Sequence, residues 1–338
     1  MVQRLTVLGA GSWGTALAIH MGRVGHDVHL WARDAQLVAS MIEHRQNSAY
    51  LPRFVLPESV VPTASLEQAL AISTCVVVAV PSHGARAVIQ KASVFLPTGV
   101  PIVSAAKGLE PSRMRRMSQV IEEEVGGASP VAVLSGPSFA AEVARELPTA
   151  VLVASREPSL IKLVQEEFRS KYFRLYASND VIGVELGGAL KNVIAIAAGV
   201  VESLGLGNNA LAGLITRGLA EMTRLACAVG GRRETLAGLS GLGDLVLTCT
   251  GALSRNRKVG LELGTGRPLD AILGEMKMVA EGVRTTGAAL ALGAQYGIEL
   301  PIALQTAEVL AGRVAPLAAV EALMLRRQRV EADTNEPV

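Results

Sequence analysis

The chain has 338 residues, half of them hydrophobic and only 3% aromatic, with 32 basic against 30 acidic side chains and a formal net charge of +2. Such a length accommodates two domains, with cores built mainly from Ala, Val, Leu and Ile. The charge balance excludes a whole-protein field for nucleic acid or an anionic membrane, so any anion site must be local.

The first predicted strand lies in "RLTVLGAG", residues 4–11, whose apolar part is too short for the core of a signal peptide. Three glycines follow in the pattern Gly9-x-Gly11-x-x-Gly14 and open the helix-like "TALAIHMGRVG" (15–25), which Gly25 closes. The next strand is "HDVHLWARD" (26–34), followed by "CVVVAVPS" (75–82), "VPIVSAAKG" (100–108), "PVAVLSGPS" (130–138) and "TAVLVAS" (149–155). Helical stretches such as "MRRMSQVIEEEVG" (114–126) separate them. Near-continuous apolar strands alternating with helices predict βαβ units and a mostly parallel sheet covered on both faces. Between a strand and a helix, the glycine pattern is a dinucleotide-binding fingerprint. Gly9 makes the turn, Gly11 admits a pyrophosphate, and Gly14 lets helix and strand pack closely.

An acidic residue at the end of the second strand would bind the ribose 2′-hydroxyl of NAD. Here "LWARD" has Arg33 in that region. A guanidinium suits a 2′-phosphate or stacks on adenine; the other reading is a solvated strand-end residue. Asp34 beside it keeps NAD use open.

After about residue 180 the strand signals fade. "NDVIGVELGGALKNVIAIAAGVVESLGLG" (179–207), "NALAGLITRGLAEMTRLACAVG" (209–230) and "GAALALGAQYG" (287–297) read as helices, several apolar nearly all round. That pattern means burial in a bundle or at a subunit contact. The expected architecture is therefore α/β: a Rossmann-type domain over residues 1–180, an all-helical domain over 181–327 and a polar tail over 328–338, with the site between the two domains. No wholly apolar stretch is as long as a membrane span requires. Cys75, Cys227 and Cys249 form neither a disulfide framework nor a metal-ligand pattern and suit a reducing cytoplasm. No metal is expected.

Lys191 lies in "VELGGALKNVIAIAAG" with Gly187, Gly188, Ile194 and Ala195 on its helical face. A roomy, poorly solvated pocket there would lower its pKa toward the working range of a proton-transfer group. The other reading is a lysine snorkelling from a buried helix to water. In "GLSGLGDLVLTCTGALSRNRKVG" (238–260), Asp244 sits in a glycine loop, and Ser254, Arg255 and Asn256 offer hydroxyl, guanidinium and amide together. That group matches a phosphate, or else is an exposed basic turn. Lys107 follows a predicted strand and would face a ligand at the carboxyl ends of the strands. "SGPSFAAE" (135–142) likewise follows a strand, and its Ser138 and backbone amides make a second anion-friendly helix start.

From about Leu5 to Leu325 the chain resembles the soluble NAD(P)-dependent glycerol-3-phosphate dehydrogenases of bacteria. The markers are "GAGSWGTALA", "VAVPSH", "AAKGLE", "SGPSFAAEV", "ELGGALKNVIAIAAG", "GLGDLVLTCTGALSRNR" and "VAEGVRTT", in that order. The resemblance implies that Lys191 is the catalytic acid/base and that Lys107 contacts both substrate and cofactor. It implies substrate contacts from Gly136, Ser138, Asp244, Ser254, Arg255 and Asn256. Around the cofactor it places Ser12, Trp13, Arg33, Lys107, Ala140, Arg255, Val279 and Glu281, beside Gly9, Gly11 and Gly14. The expected reaction is reversible reduction of dihydroxyacetone phosphate to sn-glycerol 3-phosphate, feeding glycerophospholipid synthesis. NADP(H) is the expected cofactor, with NAD(H) open, and the expected partners are a small phosphorylated substrate and a second copy of the chain. Neither nucleic acid nor membrane insertion is expected. Two rivals remain at this point: a hydroxy-acid dehydrogenase acting on a carboxylate, and a nucleotide sensor without turnover.

Overall fold

The computed structural model describes residues 2–276, 278–328 and 331; the expected tail, apart from Gln328 and Glu331, lies outside these. Eight strands, β1 (Arg4–Leu8), β2 (Asp27–Trp31), β3 (Val60–Thr63), β4 (Cys75–Val78), β5 (Ile102–Ser104), β6 (Val131–Ser135), β7 (Thr149–Ser155) and β8 (Phe173–Ser178), form one sheet. Their order is β3-β2-β1-β4-β5-β6-β7-β8. The first six run parallel, in the arrangement of dinucleotide-binding sheets. β7 turns antiparallel against β6, and β8 pairs parallel with β7.

That reversal has a local cause. Between β6 and β7 the chain has only the five-residue helix Ala140–Ala144, too little for the crossover that a parallel neighbour needs. The central strands β4 and β5 are buried throughout, which explains their unbroken apolar runs. The sequence reading did not find β3 and β8. β3 is a four-residue edge strand containing Pro62, and proline demotes a strand signal. β8, at the other edge, alternates buried Phe173 and Leu175 with exposed Arg174 and Tyr176. One face of the sheet buries Leu5, Val7, Val28 and Val77 with Leu17, Ile19 and Met21 of the helix Ser12–Val24. The other buries Val76, Val78 and Ile102 with Ile89 and Ile121.

From Val181 onward every regular element among the described residues is helical. The helix Val181–Ser203 is the axis of this part, and Gly207–Ala228, Asp244–Thr250, Arg255–Gly264 and Glu281–Gln295 pack around it. Its length and mean hydropathy would suffice to cross a membrane, although Glu185, Lys191 and Asn192 interrupt it and its longest wholly apolar stretch is far shorter, as the sequence reading expects. In the fold, 83% of its most apolar 18-residue window is buried inside the protein. The small cluster of Val133, Ala154 and Val184 seats its first turns against β6 and β7. The lysine-bearing helix is thereby anchored at the sheet.

Candidate functional site

The glycine turn follows from sterics. Gly9 has φ +114°, a conformation L side chains rarely adopt. A Cβ on Gly14 would collide with the carbonyl oxygen of Gly9, whereas one on Gly11 would meet nothing within 4 Å. Gly11 caps the helix Ser12–Val24 without a side-chain hydrogen bond, which leaves the first-turn amides without a side-chain cap, as a helix start that receives an anion requires. Ser12 Oγ lies 2.6 Å from Tyr50 O and 2.9 Å from Met278 Sδ. Trp13 packs on the core with its indole Nε1 buried and without a hydrogen-bond partner among the described residues. These features fit a dinucleotide pyrophosphate. Arg33 is exposed two residues beyond β2. Asp34 instead caps the helix Ala35–His44, its Oδ1 accepting from Gln36 N (2.9 Å) and Leu37 N (3.3 Å).

Two lysines share one carboxylate at the seam between sheet and helices. Asp244 is 1% exposed; its Oδ1 accepts from Lys191 Nζ, and its Oδ2 accepts from Lys107 Nζ at 2.8 Å. Lys107 Nζ also donates to Gly136 O (2.7 Å) and Ser138 Oγ (3.2 Å), so all three of its protons have acceptors. Lys191, 5% exposed, has a second acceptor in Thr248 Oγ1 at 2.9 Å. Its third N–H has no acceptor among the described residues. Burial lowers the Lys191 pKa to about 7; Asp244 pulls it up and the Lys107 charge pushes it down. The Asp244 carboxylate, opposing burial through its charge and its hydrogen bond, keeps the amine titratable near neutrality.

The expected roomy pocket around Lys191 is corrected in its cause. A Cβ on Gly187 would lie 2.6 Å from Ser240 O, and one on Gly188 2.5 Å from Ser135 Oγ. The glycines therefore admit other chain segments rather than empty space. Gly187 accommodates the π-helical turn Leu239–Gly243, which leads directly into the helix Asp244–Thr250. Asp244 thus begins a helix and is not in a loop. Such π turns commonly mark functional sites.

Ser254, Arg255 and Asn256 are successive residues at a helix start, and each side chain has a partner within the protein. Ser254 caps Arg255–Gly264 through Arg257 N. Asn256 donates to Asn192 Oδ1 (2.8 Å) and accepts from Gly282 N (2.9 Å). Arg255 Nη1 donates to Val279 O at 2.8 Å. Glu281, two residues on, accepts from Ser82 N (2.9 Å) and Ser82 Oγ (2.5 Å), joining the helical part to the start of the helix Ser82–Ser93. Ala140 opens the short helix after Ser138 and packs on the sheet core. Ser138 itself holds Lys107 and donates to Gly136 O at 2.9 Å.

Three polar contributors escaped sequence reading. Thr248 stands one turn beyond Asp244, an i,i+4 spacing that could have revealed it. Asn192, next to Lys191, donates to Lys107 O at 3.3 Å. Ser82 had no local signal, since its partner Glu281 lies 199 residues away.

Profiles of the NAD-dependent glycerol-3-phosphate dehydrogenase N-terminus and C-terminus match residues 4–161 and 180–321. A glycerol-3-phosphate dehydrogenase [NAD(P)+] of Acidobacterium capsulatum is 51% identical over 98% of this chain and 100% of its own. One of Thioalkalivibrio sulfidiphilus is 50% identical over 97% and 98%. The crystal structure of glycerol-3-phosphate dehydrogenase from Coxiella burnetii superposes with a TM-score of 0.93 at 41% identity, covering 96% of this chain and 99% of that one.

Proposed function

The chain belongs to the NAD-dependent glycerol-3-phosphate dehydrogenase family and is an NAD(P)-dependent oxidoreductase that reduces dihydroxyacetone phosphate to glycerol 3-phosphate, and from that premise we propose that Lys191 exchanges the proton of the reaction. The observation that carries this assignment is the unassigned third N–H of Lys191 beside a fully engaged Lys107. The bound nicotinamide supplies the hydride. Lys191 gives its proton to the ketone oxygen and neutralises the charge developing there. Lys107, oriented by Gly136, Ser138 and Asp244, adds positive charge at the same oxygen. Arg255 holds the substrate phosphate, with Ser254 and Asn256 fixing the helix start that carries it. Gly9, Gly11, Gly14, Ser12, Trp13, Ala140, Val279 and Glu281 surround the cofactor in this reading.

Absorbance of NADPH and NADH, followed with dihydroxyacetone phosphate and in parallel with 2-oxo acids, tests the substrate class. Turnover on the carboxylates alone would sink the phosphate assignment.

Arg255→Ala is expected to lower kcat/KM for dihydroxyacetone phosphate by tens-fold, about 2–3 kcal/mol, as loss of a charged bidentate contact requires. Arg257→Ala should do much less to kcat/KM, because the Arg257 guanidinium already faces Glu202, with Nε at 2.7 Å. Equal losses in the two variants would remove Arg255 from the phosphate.

The division into a nucleotide domain over 1–180 and a substrate domain over 181–327 is part of the same proposal; β8 ends at Ser178 and the long helix starts at Val181. NADPH preference rests on Arg33 and on Asp34 being engaged as a helix cap. Arg33→Asp should raise the KM for NADPH far more than that for NADH, and equal changes would count against it. A cytoplasmic homodimer completes the proposal. Leu304, Leu317, Met324 and Leu325, exposed on or beside the last two helices, suit a subunit contact, and sedimentation velocity would show a monomer if that is wrong.

A further inference from the structure

Three basic side chains from distant parts of the chain come near the nucleotide turn, and neither of the two arginines among them has an ion-pair partner among the described residues. Arg33 follows β2 and His83 follows β4, the two strands that flank β1. Both strand ends are tied to the glycine turn, through Gly9 N to Trp31 O at 3.0 Å and Ala79 N to Leu8 O at 2.9 Å. The third residue, Arg284, comes from the helical part. It lies one turn beyond Glu281 on the helix Glu281–Gln295, hence on the same helix face. Glu281 is clasped by Ser82, the residue immediately before His83. The His83 imidazole accordingly lies within electrostatic reach of Arg284, Glu281 and Arg33. Burial first, and then the two guanidinium charges, lower its pKa, while Glu281 raises it.

Most other arginines that carry a nearby carboxylate use it: Arg86, Arg115, Arg257, Arg267 and Arg313 are all ion-paired. Arg33 and Arg284 are exposed and form no ion pair among the described residues. The one carboxylate next to Arg33, that of Asp34, is turned to the backbone of its own helix. Glu281 is already held by two hydrogen bonds from Ser82. Two guanidinium groups without an ion-pair partner among the described residues therefore stand near the strand ends where this fold receives the adenosine ribose.

We propose that Arg284 and His83 complete, together with Arg33, a binding site for the 2′-phosphate of the cofactor, so that the helical part of the chain takes a direct share in cofactor discrimination. This rests on the reading of Arg33 as a 2′-phosphate contact and extends it across the seam between sheet and helices. A phosphate monoester dianion is the matching ligand: it offers several acceptors to two guanidinium groups and an imidazole N–H. The unphosphorylated ribose of NADH would offer the two guanidinium groups no anion.

Dissociation constants for NADPH, NADH and 2′,5′-ADP, measured by calorimetry on the intact protein and on Arg33→Gln, Arg284→Gln and His83→Gln, test this. Arg284→Gln should weaken NADPH and 2′,5′-ADP by roughly 10-fold, with NADH changed by less than about twofold, as loss of one charged contact to an anion predicts. His83→Gln should show the same selectivity with a smaller loss, and Arg284→Lys should restore part of the affinity. The proposal is overturned if Arg284→Gln leaves NADPH binding intact or weakens both cofactors alike while Arg33→Gln selectively weakens NADPH. If Arg33→Gln is itself unselective, the underlying reading of Arg33 fails instead. Unfolding midpoints of the variants, compared with the parent, separate either result from a loss of structure.

Discussion

Replacing Lys191 with alanine is expected to lower kcat by roughly 10²- to 10⁴-fold, the range of general acid–base help, while NADPH still binds at the separate glycine turn. The physical basis is the state of the amine. Burial brings its pKa down to about 7 against the upward pull of Asp244, so protonated and neutral forms are both accessible near neutral pH. Ketone reduction needs the protonated form, so its kcat/KM should be level below that pKa and fall above it. Alcohol oxidation needs the neutral amine and should rise with pH over the same interval. Both limbs should vanish in Lys191→Ala. Lys107 is the competing donor, but its three protons are already directed at Gly136 O, Ser138 Oγ and Asp244 Oδ2. Steady-state rates across pH for Lys191→Ala and Lys107→Ala decide between them. Near-normal turnover without Lys191, together with none without Lys107, would reverse the assignment.

The second large effect is expected at Asp244. Its carboxylate is the shared counter-charge of two lysines, one of them 5% exposed. Asp244→Asn keeps the shape but leaves two neighbouring ammonium groups with no buried anion. Breaking a buried pair in this way costs about 3–5 kcal/mol. The cost should be greatest at acid pH, where Lys191 would have to carry its charge, and should shrink as pH rises and the amine deprotonates. With the upward pull of Asp244 gone, the pH limb of ketone reduction should move to lower pH. Turnover near neutrality should then fall even for enzyme that remains folded. Urea midpoints at two pH values and a pH–rate profile measure the two consequences separately. An Asn variant with an unmoved limb and an unchanged midpoint would show that Asp244 does not govern the charge on Lys191.

Much of the nucleotide-binding half could be read locally. The turn needs Gly9 at positive φ and Gly14 beneath its carbonyl, and those steric demands act between residues a few positions apart. The unbroken apolar runs of β4, β5 and β6 report burial on both faces, again a property of short segments. Lys191, Lys107 and Asp244 could be singled out by type and setting. Their joint geometry could not, because Lys191 and Asp244 are 53 residues apart and Lys107 and Asp244 are 137 apart. Their meeting depends on the Gly187 helix resting against the π turn and on the β6 end lying beneath it. Packing likewise decided that Ser254 and Asn256 would bond to backbone and to Asn192 instead of standing free, and that Glu281 would clasp Ser82. Motif residues and backbone turns are thus written in the local sequence. Which lysine retains a proton to give, and which arginines stand without a partner, depends on contacts between distant segments, and only the tertiary structure decided them.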